Sequence, residues 1–250
     1  MKPTLYVIVS LLISLVVWQL VVVIGGFDKA LFPSPWDVAY AFGKIIEDGT
    51  LLKGITASLY RFVVGYLVSV LTGVFFGLLL GLFNPLFKLA NPVIQMVRPI
   101  APVAWMPFIV LLIGIGDAPA IVIIFLAGFF PVLLTTASAV HKVDGIYLKV
   151  AANYGVGRLK TVFQVILPAI FPQIANALHL ALGTCWIFLV SGEMVGTQSG
   201  LGYMIIDARN NLRTDILLAT MIVIGIIGFL LDLLIGRFEK KVLAVWGTKK

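Results

Sequence analysis

The sequence predicts an all-α integral membrane protein with six transmembrane helices and a helical loop on the cytoplasmic side. Apolar residues make up 61% and charged residues 12% of the 250 residues, and mean hydropathy is +1.11. A soluble domain of this size would have too few charges to cover so apolar a chain, so a soluble enzyme is excluded. The apolar stretches are continuous rather than alternating, which favours helices over a transmembrane barrel.

Six segments reach the roughly 20 apolar residues that a helix needs to cross the hydrocarbon core. We predict spans at about residues 5–24, 58–83, 93–115, 119–140, 169–190 and 216–235, within a single membrane domain of residues 1–250. A signal peptide is the alternative for the first segment, because Lys2 precedes it. The length of its apolar run and the lack of a small-residue cleavage site favour a retained helix.

Charge predicts that both termini are cytoplasmic. The net charge is +7. Lysine and arginine are twice as numerous in the segments on the same side of the membrane as the N-terminus as in the segments on the other side. Most acidic residues fall on the opposite side. The positive-inside rule explains this distribution, so the basic composition indicates no nucleic-acid partner.

Small residues recur at every fourth position of the second span, and this stripe comprises Gly65, Ser69, Gly73, Gly77 and Gly81. The spacing places them on one helix face, where a neighbouring helix can approach closely in lipid. This stripe either serves helix packing alone or forms a surface along which the neighbouring helix slides during gating. Upstream, residues 36–46 show the amphipathic pattern typical of a helix lying in the membrane interface.

Prolines at the start of the third span predict an irregular backbone. They are Pro92, Pro99, Pro102 and Pro107, and each removes a backbone donor. Such backbone at membrane depth is tolerated where it is buried in protein or lines water. We therefore expect residues 98–107 to face the bundle interior or a pathway, with packing alone as the alternative.

Five ionisable side chains lie in or near the spans: Arg61, Arg98, His179, Glu193 and Asp232. Each is costly in lipid unless it is paired, hydrated or snorkelling. Arg61, Arg98 and Asp232 lie near span ends, where snorkelling or capping is the alternative to a functional role. His179 lies near mid-span and either bonds inside the bundle or contacts a substrate or gate. Glu193 either orders the loop at 196–203 or borders the pathway.

The loop at 141–168 is too long for a simple connector. Apolar residues recur at helical spacing before and after Gly155-Val156-Gly157, which predicts a helix, a glycine turn and a second helix ending at Pro168. An apolar stripe on such a helix pair needs a cover, either the membrane surface or a protein partner.

The same loop resembles the cytoplasmic signature of the membrane subunits of binding-protein-dependent ABC importers. That signature is Glu-Ala-Ala, three residues, Gly, nine residues, a branched apolar residue, one residue and Leu-Pro. Here Lys149-Val150-Ala151 precedes Gly155, and Leu167-Pro168 closes the segment at the same spacing. Lys149 stands where the signature has Glu, and Val150 where it has its first Ala.

Further motifs, spread over about residues 5–240, are similar to the sulfonate, taurine and nitrate branch of these importers. They are Pro33-Ser34-Pro35, Ser58-Leu59-Tyr60-Arg61, Arg98-Pro99 through Trp105-Met106-Pro107, Gly114-Ile115-Gly116-Asp117, Glu193-Met194 and Ser199-Gly200-Leu201-Gly202-Tyr203. Where this branch often has Gly-Leu-Arg, the chain reads Ala177-Leu178-His179, so a titratable group replaces a permanent cation.

The resemblance implies a type I ABC importer permease: a non-catalytic, multi-pass subunit of the bacterial inner membrane that translocates a small solute. It implies that an ATPase is coupled through Asp144, Lys149, Val150, Ala151, Tyr154, Gly155, Leu167 and Pro168. Together with the ionisable and proline positions, it implies a pathway or gate that involves Arg61, Arg98, Pro102, Trp105, His179, Glu193 and Met194.

The partners implied are a cytoplasmic ATPase dimer and an extracytoplasmic binding protein. ATP and Mg²⁺ are expected on the ATPase, because this chain has no Gly-x-x-x-x-Gly-Lys-Ser/Thr phosphate loop. An ATPase dimer offers two docking grooves, so a homodimer of permeases is the simplest assembly. No metal ligand set is predicted, since Cys185 is the only cysteine and no Cys/His spacing fits a metal.

A small anion such as a sulfonate, taurine or nitrate is the favoured solute, because Arg61, Arg98 and His179 are basic. A vitamin-like heterocycle, such as a thiamine precursor or a flavin, is the alternative within the same architecture. An ion-coupled transporter or channel is the alternative from another class, but it leaves the amphipathic loop unexplained. A membrane-embedded enzyme lacks the clustered catalytic groups it would need.

Overall fold

A computed structural model describes residues 3–26, 28 and 30–245, and the regular elements of that part of the chain are all helical. The helices are α1 (Pro3–Gly25), α2 (Pro35–Glu47), α3 (Thr50–Leu82), α4 (Asn84–Val97), α5 (Met106–Ile113), α6 (Asp117–His141), α7 (Gly145–Asn153), α8 (Arg158–Thr161), α9 (Leu167–Gly196), α10 (Leu201–Asn210) and α11 (Thr214–Val245). The all-α class predicted from sequence is confirmed.

The chain forms two compact units. The first comprises Met1–Ser58 and Gln198–Ile226, and the second comprises Leu59–Thr197 and Ile227–Lys250. The second unit contains every residue that the sequence proposes for coupling or for the pathway.

Helix α2 belongs to the first unit and has the amphipathic character predicted for residues 36–46. Ser34 caps its N-terminus, and the Asp37 carboxylate accepts a bond from the Ser34 backbone N–H in return, which completes a capping box. The buried face is formed by Val38, Ala41 and Ile45.

Four helical stretches are long and apolar enough to cross a membrane: Thr50–Leu82, Asp117–His141, Arg158–Gly196 and Thr214–Arg237. They coincide with the second, fourth, fifth and sixth predicted spans and extend beyond most of the predicted boundaries. Half of the apolar window of Asp117–His141 is buried inside the chain, against 17% for Thr214–Arg237. Helix α6 is therefore the most enclosed of these spans, whereas α11 leaves most of its apolar surface uncovered.

The third predicted span, at 93–115, is not one continuous helix. Helix α4 and a second stretch, Pro102–Ile113, meet at a bend of 84°. That stretch opens as a 3₁₀ turn over Pro102–Trp105 and continues as α5. Pro99 and Pro102 supply no N–H at the break, so the helical ladder cannot pass through it. If the two stretches together form one broken span, they correspond to the third predicted span and bring the number of candidate spans among the described residues to five.

The first predicted span, at 5–24, coincides with α1. Its apolar part, Val9–Gly25, is shorter than the four long spans. The predicted orientation of the termini rests partly on Lys2, Lys29, Lys249 and Lys250, which lie outside the described residues. Six spans therefore remain an expectation.

The stripe of small residues on α3 packs against α6, as its spacing predicts. A Cβ added to Gly77 would lie 2.6 Å from the Cβ of Thr136, and one added to Gly81 would lie 2.6 Å from that of Val140. The other members meet Ile124, Gly128 and Val132 in turn. Since these partners also recur every four residues, the side chains of α6 fit as a ridge into the groove left by the small residues of α3.

The loop at 141–168 contains the predicted helix, glycine turn and helix, but the second helix does not end at Pro168. Arg158–Gly196 is one stretch of 39 residues. A π turn over Val162–Ile166 lies directly before Pro168. Pro168 lacks the N–H that would bond the carbonyl of Gln164, and the wider π turn accommodates this gap without breaking the helix.

Candidate functional site

The glycine turn of the coupling segment, as we call residues 141–168, has a defined geometry. Asp144 caps α7 by accepting a 2.9 Å bond from the Ile146 N–H. At the other end, the N–H of Val156 bonds the carbonyl of Ala151 and the N–H of Gly155 bonds that of Ala152. This pair of bonds is a Schellman motif, which needs a left-handed residue directly after the helix. Gly155 supplies it with φ +67°.

Several apolar side chains of the coupling segment are exposed. Tyr154 is 83% exposed, and Leu159 and Phe163 are also exposed. A cleft of about 710 Å³ opens beside the turn, lined by Tyr154, Leu159 and the basic residues Arg158 and Lys160 among others. Another protein could therefore place an apolar side chain in this cleft, with acidic residues around it facing Arg158 and Lys160.

Arg61, Asp117 and Glu193 form an ion cluster that joins α3, α6 and α9. The Arg61 Nη1 donates to Glu193 Oε1 at 2.6 Å, and its Nε donates to Asp117 Oδ1 at 2.7 Å. The Arg61 side chain is 2% exposed and that of Glu193 is 0% exposed, while that of Asp117 is 57% exposed. Snorkelling of Arg61, one of the two alternatives open from sequence, is therefore wrong.

Backbone packing holds the ion cluster in place. The N–H of Gly116 donates to the carbonyl of Gly196 at 3.0 Å, which ties the start of α6 to the end of α9. A Cβ on Gly196 would lie 3.0 Å from the side chain of Met106, so α5 also lies against this corner. The elements that present the three charged side chains are therefore in direct contact at this corner.

A second candidate region lies at the break in the third span. Arg98, Pro102 and Trp105 line a cavity of about 190 Å³ together with Phe130 of α6 and Thr184 of α9. The sequence proposed the first three as pathway residues, and the structure brings them together. It does not place them with Arg61 or Glu193.

His179 contacts two carboxylates on α11. Its Nε2 lies 2.8 Å from Asp232 Oδ1 and its Nδ1 lies 3.1 Å from Glu239 Oε2. Fourteen residues of helix, about 21 Å, separate it from Glu193 along the same chain stretch. His179 is therefore neither alone in the bundle nor part of the ion cluster.

Sequence reasoning missed two of these pairings. The sequence assigns Asp117 to a glycine motif and to the acidic residues of the outer side but not to a pair with Arg61, and it assigns no role to Glu239. Opposite charges at the same predicted ends of neighbouring spans could have indicated the Arg61–Asp117 pair, but not the pair of the mid-span His179 with Glu239. Met194, proposed beside Glu193, is partly exposed and belongs to a different face of α9. Among the described residues, no group of three or more His, Cys, Asp or Glu side chains could hold a metal ion.

Comparison with known families gives a match over residues 69–244 to the binding-protein-dependent transport system inner membrane component. That range covers more than half of the chain. It includes the coupling segment, Arg98, His179 and Glu193.

Curated relatives align over almost the whole chain. The taurine transport system permease protein TauC of Escherichia coli K12 is 32% identical over 93% of this chain and 86% of its own length. The putative aliphatic sulfonates transport permease protein SsuC of Bacillus subtilis 168 is 31% identical over 92% and 84%. The nitrate import permease protein NrtB of Synechococcus elongatus is 31% identical over 94% and 88%.

The fold has a counterpart among solved structures. A chain of the MetNI methionine ABC transporter, in an inward-facing conformation, superposes with a TM-score of 0.67 over 77% of this chain and 96% of its own, at 20% identity. The family match and the curated relatives decide against the ion-coupled transporter or channel considered from sequence. The chain belongs to the inner membrane components of binding-protein-dependent ABC importers, and it is a non-catalytic permease subunit.

Proposed function

We propose that this permease forms the translocation pathway of an ATP-driven importer for a small anion, delivered by an extracytoplasmic binding protein. A homodimer of the chain would span the membrane with six helices per copy and with cytoplasmic termini. ATP and Mg²⁺ would bind to a separate pair of ATPase subunits.

The coupling segment is the observation that carries this proposal. Its exposed apolar side chains need a cover, and we assign that cover to the ATPase subunits rather than to the membrane surface. We assign the docking contact to Tyr154, the turn at Gly155 and the flanking Lys149 and Val150. Asp144 and Ala151 position the first helix of the pair through its cap and its C-terminal bonds.

Continuity of helix supports a mechanical role. Residues 158–196 form one helical stretch, roughly 58 Å long at 1.5 Å per residue. A force applied to α8 by a closing ATPase would pass through Leu167 and Pro168 directly into the span that presents His179 and Glu193. Rotation of this span would change the access of a central pathway from one side of the membrane to the other.

Two positions on the same span would act as gates. The Arg61–Glu193–Asp117 cluster lies at the predicted outer end, where opening would have to separate the buried partners. Met194, the next residue after Glu193, would contribute to the gate from its own, exposed face of α9. His179 with Asp232 and Glu239 lies nearer the predicted inner side. Arg98, Pro102 and Trp105 would line the path between them.

A small anion is the solute that the chemistry favours. TauC, SsuC and NrtB are named for taurine, aliphatic sulfonates and nitrate, and Arg98 offers a cation in a cavity. A thiamine precursor or a flavin is the competing solute, and the uptake assay below separates the two.

Uptake into proteoliposomes tests the coupling mechanism. The permease is reconstituted with its ATPase and binding protein, and uptake of taurine, an alkanesulfonate, nitrate and a thiamine precursor is measured with ATP inside. Gly155→Pro removes the left-handed turn and should abolish uptake of the transported solute. Gly157→Ala is the matched control, since Gly157 has an ordinary φ of −63° and open space around its Cβ position. Unchanged uptake in Gly155→Pro contradicts the mechanism.

A further inference from the structure

We infer that His179, Asp232 and Glu239 form a proton-dependent latch between α9 and α11, which is closed while the imidazole is charged and opens when it is neutral, so that import responds to pH. The effect on import rests on the proposed function, because α9 is the span that would move. The opening of the latch needs neither an ATPase nor a binding protein, and it can be measured in the permease alone.

Helices α9 and α11 are antiparallel and meet at two points. At the first, a Cβ added to Gly228 would lie 2.8 Å from the Nε1 of Trp186. At the second, about two helical turns away on each helix, a Cβ added to Gly236 would lie 3.6 Å from the ring of His179. The latch is this second point, and its loss would leave the C-terminal half of α11 held to α9 at the first point only.

The contacts of the His179 ring require two ring protons. Its Nε2 lies 2.8 Å from Asp232 Oδ1, and its Nδ1 lies 3.1 Å from Glu239 Oε2. An ionised carboxylate accepts and cannot donate, so each contact is a hydrogen bond only while its ring nitrogen carries a proton. The neutral imidazole has one such proton. Loss of the second proton therefore turns one attraction into a repulsion between lone pairs, and takes the group from one net negative charge to two.

The elements packed around His179 bring no second cation to this point among the described residues. From α3, the Tyr66 hydroxyl donates to the carbonyl of Leu178 at 2.9 Å. Helix α6 has ionisable residues only at its ends, Asp117 and His141, and α5 and the 3₁₀ turn before it have none. Arg237 of α11 is exposed and makes no ion pair with either carboxylate. The charge of the imidazole is therefore what holds the two acids.

The cluster is open enough to exchange protons. The side chain of Asp232 is 56% exposed, and those of His179 and Glu239 are partly exposed. Charges within spanning segments are stable where they border water or protein rather than hydrocarbon, and water at this face would carry protons to the ring. Imidazole is also the side chain that ordinarily changes charge in the physiological pH range.

The direction of the response follows from the proton count. The closed latch holds the second proton and the open latch does not, so the latch is closed at low pH and opens as the pH rises. Because residues 158–196 form one helical stretch, His179 moves with the coupling segment. The closed latch would make the C-terminal half of α11 follow that movement, and the open latch would leave it behind. Import should therefore slow as the pH rises.

Two measurements on the permease in lipid nanodiscs test the latch. Nitrogen-15 NMR of labelled histidine reports the ring protons, since the chain has only two histidines and His141→Gln identifies the second one. Hydrogen exchange at residues 232–239 reports the attachment of α11. The wild-type rate is divided by that of His179→Arg, a permanent cation, at each pH from about 5.5 to about 9.5, so that the intrinsic effect of pH cancels. We expect a ratio near one that rises to about fivefold as His179 loses its proton.

Glu239→Gln distinguishes this latch from an ordinary ion pair. The amide of this variant can donate to the bare Nδ1 while Nε2 donates to Asp232, so the neutral imidazole satisfies both contacts. The exchange ratio should stay near one over the whole pH range. His141→Gln is the matched control, because it removes the other histidine, whose ring lies against Phe87. It should keep the wild-type rise.

Uptake into proteoliposomes links the latch to import. With the ATPase and binding protein present, wild-type uptake is divided by that of Glu239→Gln at the same pH, so that the pH dependence of the partners cancels. This uptake ratio should fall over the pH interval in which the exchange ratio rises. An uptake ratio that stays constant over that interval would overturn the role of the latch in import.

The latch itself is overturned if His179 keeps its second proton over the whole pH range, if the exchange ratio stays near one while that proton is lost, or if Glu239→Gln responds to pH as the wild type does. The proposed function fails separately. A latch that opens as expected in a permease that imports no tested solute at any pH would contradict the importer mechanism alone. ATP-driven uptake by a permease whose latch does not open would contradict this inference alone.

Discussion

Arg61 is the residue whose surroundings are most demanding energetically. Its guanidinium and the Glu193 carboxylate are both withdrawn from water, and a buried charge is stable only while its partner is present. Asp117 also pairs with Arg61 but is largely in the open, where an ion pair contributes little. The two acids therefore differ in importance although their distances to Arg61 are similar.

Glu193→Gln should destabilise the protein by at least about 2 kcal/mol. The loss should stay below the 3–5 kcal/mol expected when a buried charge loses its only partner, because Asp117 still pairs with Arg61. Asp117→Asn should cost less than about 1 kcal/mol. Thermal unfolding of both variants in detergent, followed by tryptophan fluorescence, measures the difference. Equal losses in the two variants would show that burial does not decide the strength of these pairs.

His179 is a second residue defined by its partners. Both of its ring nitrogens face carboxylate oxygens, and both can donate at once only in the imidazolium form. His179→Ala should therefore loosen the end of α11, with about fivefold faster hydrogen exchange at residues 232–239. His179→Arg keeps a cation with several donors and should exchange as slowly as the wild type. An unaltered exchange rate in His179→Ala would contradict a stabilising role for the contacts of His179 with Asp232 and Glu239.

At the scale of elements, the contact between α3 and α6 depends on the absence of side chains. A Cβ on Gly77 would collide with Thr136 and with the carbonyl of Leu133, which as backbone cannot move aside easily. Glycine is therefore required at this contact for space and not for its φ. A helical glycine whose Cβ position is open, such as Gly183, is under no such constraint.

Gly77→Ala should lower stability by about 1–3 kcal/mol through overpacking. Gly183→Ala should be neutral or stabilising by up to about 1 kcal/mol, because alanine favours a helix over glycine. Midpoints of thermal unfolding compare the two. A stabilised Gly77→Ala variant would contradict the close packing of α3 on α6.

The sequence predicts elements well where a local rule governs them. The period of four in the stripe and the glycine turn at 155 each follow from local geometry, and both are present. The end of a helix at Pro168 is a local rule that fails, because a π turn absorbs the missing donor. The bend of 84° and the pairs made by Arg61 and His179 depend on residues far apart in the chain, which no local pattern reports.

For the whole molecule, the uncovered surfaces indicate what is missing around the chain. Helix α11 buries only 17% of its apolar window within the chain, and α3 buries 28%. Lipid or a second copy must cover the rest. The coupling segment also leaves apolar side chains exposed, among them Tyr154, Leu159 and Phe163, and the proposed function assigns their cover to the ATPase.

The most direct test of the account is photo-cross-linking from position 154. Benzoylphenylalanine replaces Tyr154, which is 83% exposed, and the control variant carries it in place of Tyr40, which is 76% exposed on α2. Both permeases are irradiated in membranes with the ATPase and binding protein present. The account predicts an adduct with the ATPase from position 154 and none from position 40. Absence of that adduct from position 154, in a complex that still imports its solute, would contradict the coupling role of this segment.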